Sequence, residues 1–191
     1  MKRTFNFLIL VILYSGSVYG QSETPSKNAF TGNWKMQLNI QLPLLGHRNW
    51  ILVVDKAFPA QNADGIITIN TGEPLLTVLQ YTLDQVKSST HVKPIIFTDK
   101  ELNYISEAQV PEIEKFKSKL FSIIPKNQTQ TMLHDSVFVK IAKASELFRV
   151  IVLKTEQVIP YSSVFLQLDC KYWKEEDEKL LREAMRKSNI N

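Results

Sequence analysis

Short apolar runs alternate with longer amphipathic segments along the chain from Trp34 onward. The runs have the length and the β-branched or aromatic content of strands, and they lie at 50–55, 66–70, 93–99, 147–156 and 162–170. The segments between them have helical spacing, and they lie at 71–89, 111–124, 134–145 and 174–188, after a first helix expected from Trp34 to just before Pro43. Strands that alternate with helices predict an α/β domain whose sheet is covered on both faces.

The start of the second helix contains turn and capping residues. Thr71 is expected to be its N-cap, because a threonine hydroxyl accepts a hydrogen bond from a free amide of the first turn. Pro74 is expected inside that first turn, where its missing amide hydrogen costs nothing. We therefore predict that this helix begins soon after Thr71.

The first twenty residues have the pattern of a secretory signal. Lys2 and Arg3 precede an apolar stretch at 5–14, and small or neutral residues then lead to Gly20, with cleavage expected before Gln21. The apolar stretch is shorter than the roughly 20 residues that cross a bilayer, and an uncleaved anchor is the alternative. The polar stretch 21–33 is expected to be a flexible arm. The sequence thus predicts an exported protein, periplasmic or secreted, with its domain at 34–191 and no stable membrane insertion after cleavage.

Charge and cysteine content argue against a nucleic-acid-binding protein and exclude an internal disulfide. The formal net charge is +4, and it falls to +2 once Lys2 and Arg3 are removed. The remaining basic residues are dispersed and often stand beside acidic ones, so we expect no nucleic-acid partner. Cys170 is the one cysteine, and it has no partner for an internal disulfide.

Standard motifs for cofactor, metal or covalent chemistry are missing. The sequence has no glycine-rich phosphate loop, no nucleophile elbow and no cysteine pair. Its three histidines, His47, His91 and His134, do not have the spacing of a helical metal site. An enzyme built from this chain is expected to need no cofactor and no metal.

His47 and Asp55 stand at the two ends of the apolar run Ile51 to Val54. They are either a turn histidine with a solvated carboxylate or a ligand site built at the ends of a strand. Eight regular strand steps of about 3.3 Å would separate them by roughly 25 Å. One small ligand then meets both residues only if the segment bends, or if one of the two comes from a neighbouring subunit.

Two separated segments resemble one known family. The segment LPLLGHRNWILVVDKAFPA at 42–60 resembles the Leu-Gly-His…Asp…Pro signature near the start of the RbsD/FucU family of D-ribose pyranases and fucose mutarotases. The segment FRVIVLKTEQVIPYSSVFLQLDC at 148–170 resembles that family's C-terminal Thr-Gly-Glu-x-x-Pro-Tyr-x-Asn segment. Between them, INTGEPLLTVLQYTLDQV at 69–86 is similar to the family's strand-to-helix step, with Asn70 at its threonine position.

The resemblance implies a single three-layer domain with a mixed sheet covered by helices. It implies a cofactor-independent isomerase that opens and recloses the ring of a free monosaccharide similar to ribose or fucose. His47 matches the family's acid/base histidine, and Asp55, Tyr161 and Ser163 match its sugar-contacting positions. His134 opens the stretch in which the family often has a further substrate-binding histidine. Family members form rings with sites at subunit contacts, so a homo-oligomer with composite sites is expected.

The sequence also departs from the family pattern. Ser163 replaces the usual asparagine, and Gln157 stands at the usual glutamate position. These changes favour an alternative function, that of a non-catalytic exported module that binds a monosaccharide with the same fold.

Several candidate residues have a simpler structural interpretation. His134 fits an ordinary helix start, Tyr161 fits a turn aromatic, and a polar helix start explains Asp99 and Glu101 better than a carboxylate pair. The three tryptophans are interpreted as packing residues, although any of them is able to stack on a sugar: Trp34, Trp50 and Trp173.

Overall fold

The computed structural model describes residues 33–188, so the predicted signal at 1–20 and almost all of the predicted arm lie outside the described residues. The helices are α1 (Trp34–Gln41), α2 (Leu75–Ser88), α3 (Ile113–Ile123), α4 (His134–Ser145) and α5 (Glu175–Ser188). The strands are β1 (Trp50–Val54), β2 (Ile66–Asn70), β3 (Val92–Asp99), β4 (Thr129–Met132), β5 (Val150–Lys154) and β6 (Val164–Cys170). Every helix and strand predicted within this range is confirmed, and β4 is an additional strand.

The six strands form one mixed sheet in the order β2-β5-β1-β6-β3-β4. β1 is parallel to β5, β5 to β2, and β3 to β4, whereas β6 is antiparallel to both of its neighbours. All strands except β6 therefore end at the same edge of the sheet, which we call the carboxyl edge. β6 begins at that edge and ends at the opposite one, which we call the amino edge.

Helices cover both faces of the sheet, as predicted. Ile51 and Val53 of β1 pack in the larger cluster with residues of α1, α2 and α3, and Leu52 and Val54 pack in a second cluster with residues of α4. Because β1 is buried on both faces, its sequence is continuously apolar rather than alternating. The predicted fold class, a single three-layer α/β domain with a mixed sheet, is confirmed.

The capping prediction for α2 is wrong. The helix begins at Leu75 with Pro74 as its N-cap, and no side chain caps it. Gly72, with φ of +63°, turns the chain between Thr71 and the helix. The Thr71 hydroxyl donates instead to the carbonyl of Lys154, at 2.9 Å, which ties the end of β2 to β5.

The sequence does not predict β4 because its residues, TQTM, are few and polar. β4 is the outermost strand of the sheet, with a neighbouring strand on one side only.

The packing interpretation is confirmed for Trp34 and Trp50, which are 5% and 4% exposed. For Trp173 it is wrong, since 43% of this residue is exposed.

No helix within the described residues is long and apolar enough to cross a membrane.

Candidate functional site

Polar side chains form two clusters at opposite edges of the sheet. The amino-edge cluster consists of His47, Lys93 and Asp169. The carboxyl-edge cluster consists of Asp55, Asp99, Glu101, His134, Tyr161 and Ser163. The four steps of β1 alone separate the two edges by about 13 Å. The structure therefore brings four of the five sequence-predicted site residues together and places His47 apart from them.

A tight turn before β1 positions His47. The Asn49 amide donates to the carbonyl of Gly46 at 3.2 Å, and the Asn49 side-chain oxygen accepts from the Gly46 amide at 2.6 Å. Arg48 has φ of +73°, and its amide donates to the carbonyl of Leu168 at 2.9 Å. These bonds fasten the turn to the end of β6 and place His47 beside Asp169.

His47 and Asp169 form a hydrogen-bonded pair. The distance between His47 Nδ1 and Asp169 Oδ1 is 3.0 Å, and Lys93 Nζ lies 3.4 Å from Asp169 Oδ2. Burial acts to raise the pKa of Asp169, but hydrogen bonds from the Cys170 backbone, His47 and Lys93 outweigh it and hold the pKa below its ordinary value. An ionised Asp169 accepts the Nδ1 hydrogen, so in neutral His47 the Nε2 atom is the free proton acceptor.

An open cavity of about 670 Å³ adjoins this pair. Its lining combines the pair with the segment that follows β6 and the first turn of α5, and it includes Lys93, Tyr172, Trp173 and Glu178. The His47 side chain is 55% exposed, so its ring is accessible from the cavity. The amino edge therefore presents a carboxylate-oriented imidazole to a space of ligand size.

At the carboxyl edge, Asp55 is held by Ser163. The Ser163 hydroxyl donates to Asp55 Oδ2 at 2.8 Å and accepts from the Asp55 amide at 3.1 Å. The other carboxylate oxygen of Asp55 accepts from the Ala57 amide at 2.8 Å. Ser163 is fully buried, so within one chain its hydroxyl orients Asp55 rather than facing solvent.

Asp99 and Glu101 together position His134 at the start of α4. His134 Nδ1 lies 3.1 Å from Asp99 Oδ2, and the His134 amide donates to both carboxylate oxygens of Glu101, at 3.1 and 3.2 Å. Asp99 is fully buried and its other oxygen has no hydrogen-bond partner. Burial raises the pKa of Asp99 to about 6, with His134 lowering it and Glu101 and Asp55 raising it.

Tyr161 completes this cluster from a strained turn. Its φ is +55°, which is unfavourable for a residue with a side chain, and its ring meets the His134 ring edge-on at 5.2 Å. The side-chain oxygen of Gln157 accepts from the amides of Val158 and Ile159, at 3.0 and 3.3 Å, and so supports the turn that leads to Tyr161. Gln157 thus has a structural contact in this chain.

Sequence reasoning missed Asp169 and Lys93, and it misjudged Asp99. The predicted polar helix start is present, since a 3-10 helix, Lys100–Tyr104, begins with Asp99 at its N-cap position, but the Asp99 side chain does not cap this helix and contacts His134 instead. The available signal was its position at the end of a predicted strand, the same position that drew attention to Asp55. Asp169 gave no signal, because its role depends on β6 pairing with β1.

Within residues 33–188, no group of three or more His, Cys, Asp or Glu side chains has an arrangement that would hold a metal ion. The clusters instead offer hydrogen-bond donors and acceptors beside aromatic rings. Such surfaces suit polyhydroxylated ligands, whose hydroxyl groups both donate and accept.

Comparison with known proteins found similar solved structures only. No family model and no curated protein matches the chain. Bacillus subtilis RbsD complexed with D-ribose is 14% identical, with a TM-score of 0.49 over 70% of this chain and 91% of that one. The fucose mutarotase from Streptococcus pneumoniae in complex with L-fucose is 16% identical, with a TM-score of 0.48 over 70% and 91%. FucU from Bifidobacterium longum is 15% identical, with a TM-score of 0.48 over 70% and 94%. At this level the likeness concerns the path of the chain and says nothing of the residues at the site.

Proposed function

We propose that this protein is a cofactor-independent isomerase that opens and recloses the hemiacetal ring of a free sugar, with His47 as the acid/base. One observation carries the proposal: the His47 ring, oriented by Asp169 at 3.0 Å, is open to a cavity of about 670 Å³. The resemblance of the segments 42–60 and 148–170 to pyranases and mutarotases supports the same chemistry.

The proposed reaction needs one proton to move between two oxygens on the same carbon. His47 Nε2 takes the proton of the anomeric hydroxyl, the bond between the anomeric carbon and the ring oxygen breaks, and the ring oxygen receives the proton. Asp169 stabilises the imidazolium that exists between these steps. Reclosure by another hydroxyl, or onto the other carbonyl face, gives a new ring size or anomer. Acid/base catalysis of this kind contributes roughly 10²- to 10⁴-fold.

We further propose that the carboxyl-edge cluster of a neighbouring copy binds the hydroxyl groups of the same sugar. The two clusters of one chain lie at opposite ends of β1, so a single sugar can contact both only where two copies meet. Asp55, His134 and Tyr161 would then complete the site around His47, and the protein would be a homo-oligomer with sites at subunit contacts.

Saturation-transfer NMR on a panel of free sugars, including ribose and fucose, tests the catalytic proposal. The wild-type protein should accelerate exchange between ring forms, and His47→Ala should lose at least about 10²-fold of that acceleration. His91→Gln is the matched control, since His91 Nε2 lies 3.0 Å from the carbonyl of Leu45 and glutamine is able to keep that bond. Equal exchange rates with and without protein across the panel would refute catalysis.

A second function, sugar binding without catalysis, is favoured by one specific observation. Ser163 is fully buried and its hydroxyl is engaged with Asp55, so this position offers no amide group to a sugar. Calorimetry that detects sugar binding to a protein that does not accelerate exchange would establish this function. Loss of that binding in Asp55→Ala would place the binding site at the carboxyl-edge cluster.

We also propose that the protein acts outside the cytoplasm, in the periplasm or the medium. The charged, apolar and small-residue pattern of residues 1–20 supports this location. N-terminal sequencing of the protein recovered from its producing cells should begin at Gln21, whereas a chain that still begins at Met1 would contradict cleavage.

A further inference from the structure

We propose that the cavity beside His47 contains a second sugar subsite whose platform is Trp173, and that the substrate is a neutral reducing disaccharide or longer oligosaccharide. This inference rests on the proposed function, because it extends the site in which His47 opens the sugar ring. It concerns the segment between β6 and α5, where Trp173 lies.

The cavity brings the reacting group and an aromatic platform together. His47 and Asp169 line it, and Trp173, four residues after Asp169, lines the same space together with Tyr172. At about 670 Å³, the cavity lies in the middle of the roughly 300–1,000 Å³ range of drug-sized ligand sites. That range includes ligands much larger than one sugar ring, so the space accommodates a second ring next to the one at His47.

Trp173 is exposed and yet held in place. Its indole Nε1 donates to Glu178 at 2.9 Å, and Arg182 donates to the other oxygen of Glu178 at 2.7 Å. These two bonds attach the ring to the first turns of α5. A large aromatic ring that is 43% exposed and held by a hydrogen bond does not contribute to a core; it offers a preformed flat surface for a ligand.

The charges in the lining favour a neutral ligand. Asp169 pairs with Lys93 at 3.4 Å, Glu175 with Lys179 at 3.4 Å, and Glu178 with Arg182 at 2.7 Å. These pairs compensate the lining charges other than Lys174, so the cavity has little to attract a free cation, and one lysine gives a phosphate only a single cationic contact. Carboxylate and ammonium groups beside an aromatic face suit the hydroxyl groups and the apolar C–H face of a sugar ring.

The apolar side of α5 is a separate feature from this platform. Leu180, Leu181 and Met185 are exposed, but none of them lines the cavity. Leu181→Ala is therefore a matched control for Trp173→Ala, since both remove an exposed apolar side chain from the same region of the chain.

Binding is measured first, with a probe that cannot react. Methyl β-cellobioside has no free anomeric hydroxyl, and Trp173 is the exposed indole among three tryptophans of which Trp34 and Trp50 are buried. Titration should change the tryptophan emission of the wild-type protein and of Leu181→Ala, but not that of Trp173→Ala. Calorimetry should show affinity about tenfold weaker in Trp173→Ala, and restored to within a few-fold in Trp173→Phe, which keeps an aromatic face.

Exchange rates then separate this inference from the proposed function. Cellobiose, maltose and lactose should each have a lower KM than glucose, and Trp173→Ala should remove that advantage, whereas Leu181→Ala should keep it. Exchange on single sugars without any disaccharide binding would overturn the subsite and leave the proposed function standing. Binding of the methyl glycoside without exchange on any sugar would support the subsite and refute catalysis. A change of oligomeric state in Trp173→Ala with unaltered disaccharide binding would overturn the subsite, because Trp173 would then pack against another copy.

Discussion

Asp99 is the buried residue on which the arrangement of the carboxyl-edge cluster depends. It holds the His134 ring by one oxygen and has no partner for the other, and its pKa is raised to about 6 chiefly by burial. A folded-state pKa above the ordinary value of 3.8 means that the folded protein holds more protons than the unfolded chain between these two pH values. The contribution of Asp99 to stability is therefore fully present below about pH 4 and is lost as the pH rises through about 6.

Asp99→Asn should remove this loss of stability at higher pH. Asparagine has no carboxyl group to ionise, and its oxygen still accepts the hydrogen bond from His134. Between pH 4 and pH 7, the free energy of unfolding of the variant should rise relative to that of the wild type, by at most about 3 kcal/mol. Urea unfolding at intervals of one pH unit measures the difference. Asp84→Asn, at an exposed position of α2, should follow the wild-type curve, and parallel curves for the wild type and Asp99→Asn would contradict the prediction.

At the scale of elements, the junction between α4 and β2 leaves no room for a side chain at Gly65. A Cβ atom at Gly65 would collide with the backbone carbonyl of Ser145 and would lie 2.9 Å from the carbonyl of Phe148. Both contacts are backbone atoms, which do not move aside as a side chain does. Gly65 also accepts a hydrogen bond from the Val150 amide at 2.9 Å, so its position is fixed between β2 and β5.

Gly65→Ala should therefore destabilise the protein by about 2–4 kcal/mol, because backbone atoms of two elements must shift. Thermal unfolding measures the effect. Gly46→Ala is the control, since a Cβ there meets nothing nearer than the Asn49 side chain at 3.9 Å, and its melting temperature should stay close to the wild-type value. Equal melting temperatures for both variants would show that the junction relaxes without cost.

The elements also show where sequence reasoning succeeds and where it stops. The continuous apolar run from Ile51 to Val54 predicts a strand, and that prediction succeeds because a strand buried on both faces is apolar at every position. The sequences of β4 and of the turn at Thr71 have no such pattern, because contacts with neighbouring elements determine where an edge strand and a glycine turn form. The bond from His47 to Asp169 joins residues 122 positions apart, and only strand pairing specifies it.

At the scale of the whole molecule, the proposed oligomer is tested by mixing two inactive variants. His47→Ala lacks the acid/base, and Tyr161→Phe lacks a hydroxyl of the carboxyl-edge cluster. If the two residues serve one site from different copies, subunit exchange in an equal mixture should restore roughly a quarter of the wild-type activity, because one site in four would combine both intact residues. Saturation-transfer NMR before and after exchange measures the recovery.

Each variant treated alone should remain inactive, which is the control for this experiment. No recovery in the exchanged mixture would contradict a site that combines His47 of one copy with Tyr161 of another. A monomeric wild-type protein with full activity would contradict the composite site in the same way.

β6 is the one antiparallel strand among the six, and it connects the two edges of the sheet. Ser163, just before its start, holds Asp55, and Asp169, near its end, holds His47. Asp55 and His47 flank β1, so a hydrogen bond between side chains joins β1 to β6 at each end of the pair. A slip of one residue between the two strands would break both of these hydrogen bonds and exchange the β1 residues that pack against α1, α2 and α3 with those that pack against α4. The residues proposed to bind the sugar and transfer its proton therefore also fix the register between β1 and β6. The same two hydrogen bonds orient the site residues and hold these strands in their observed pairing.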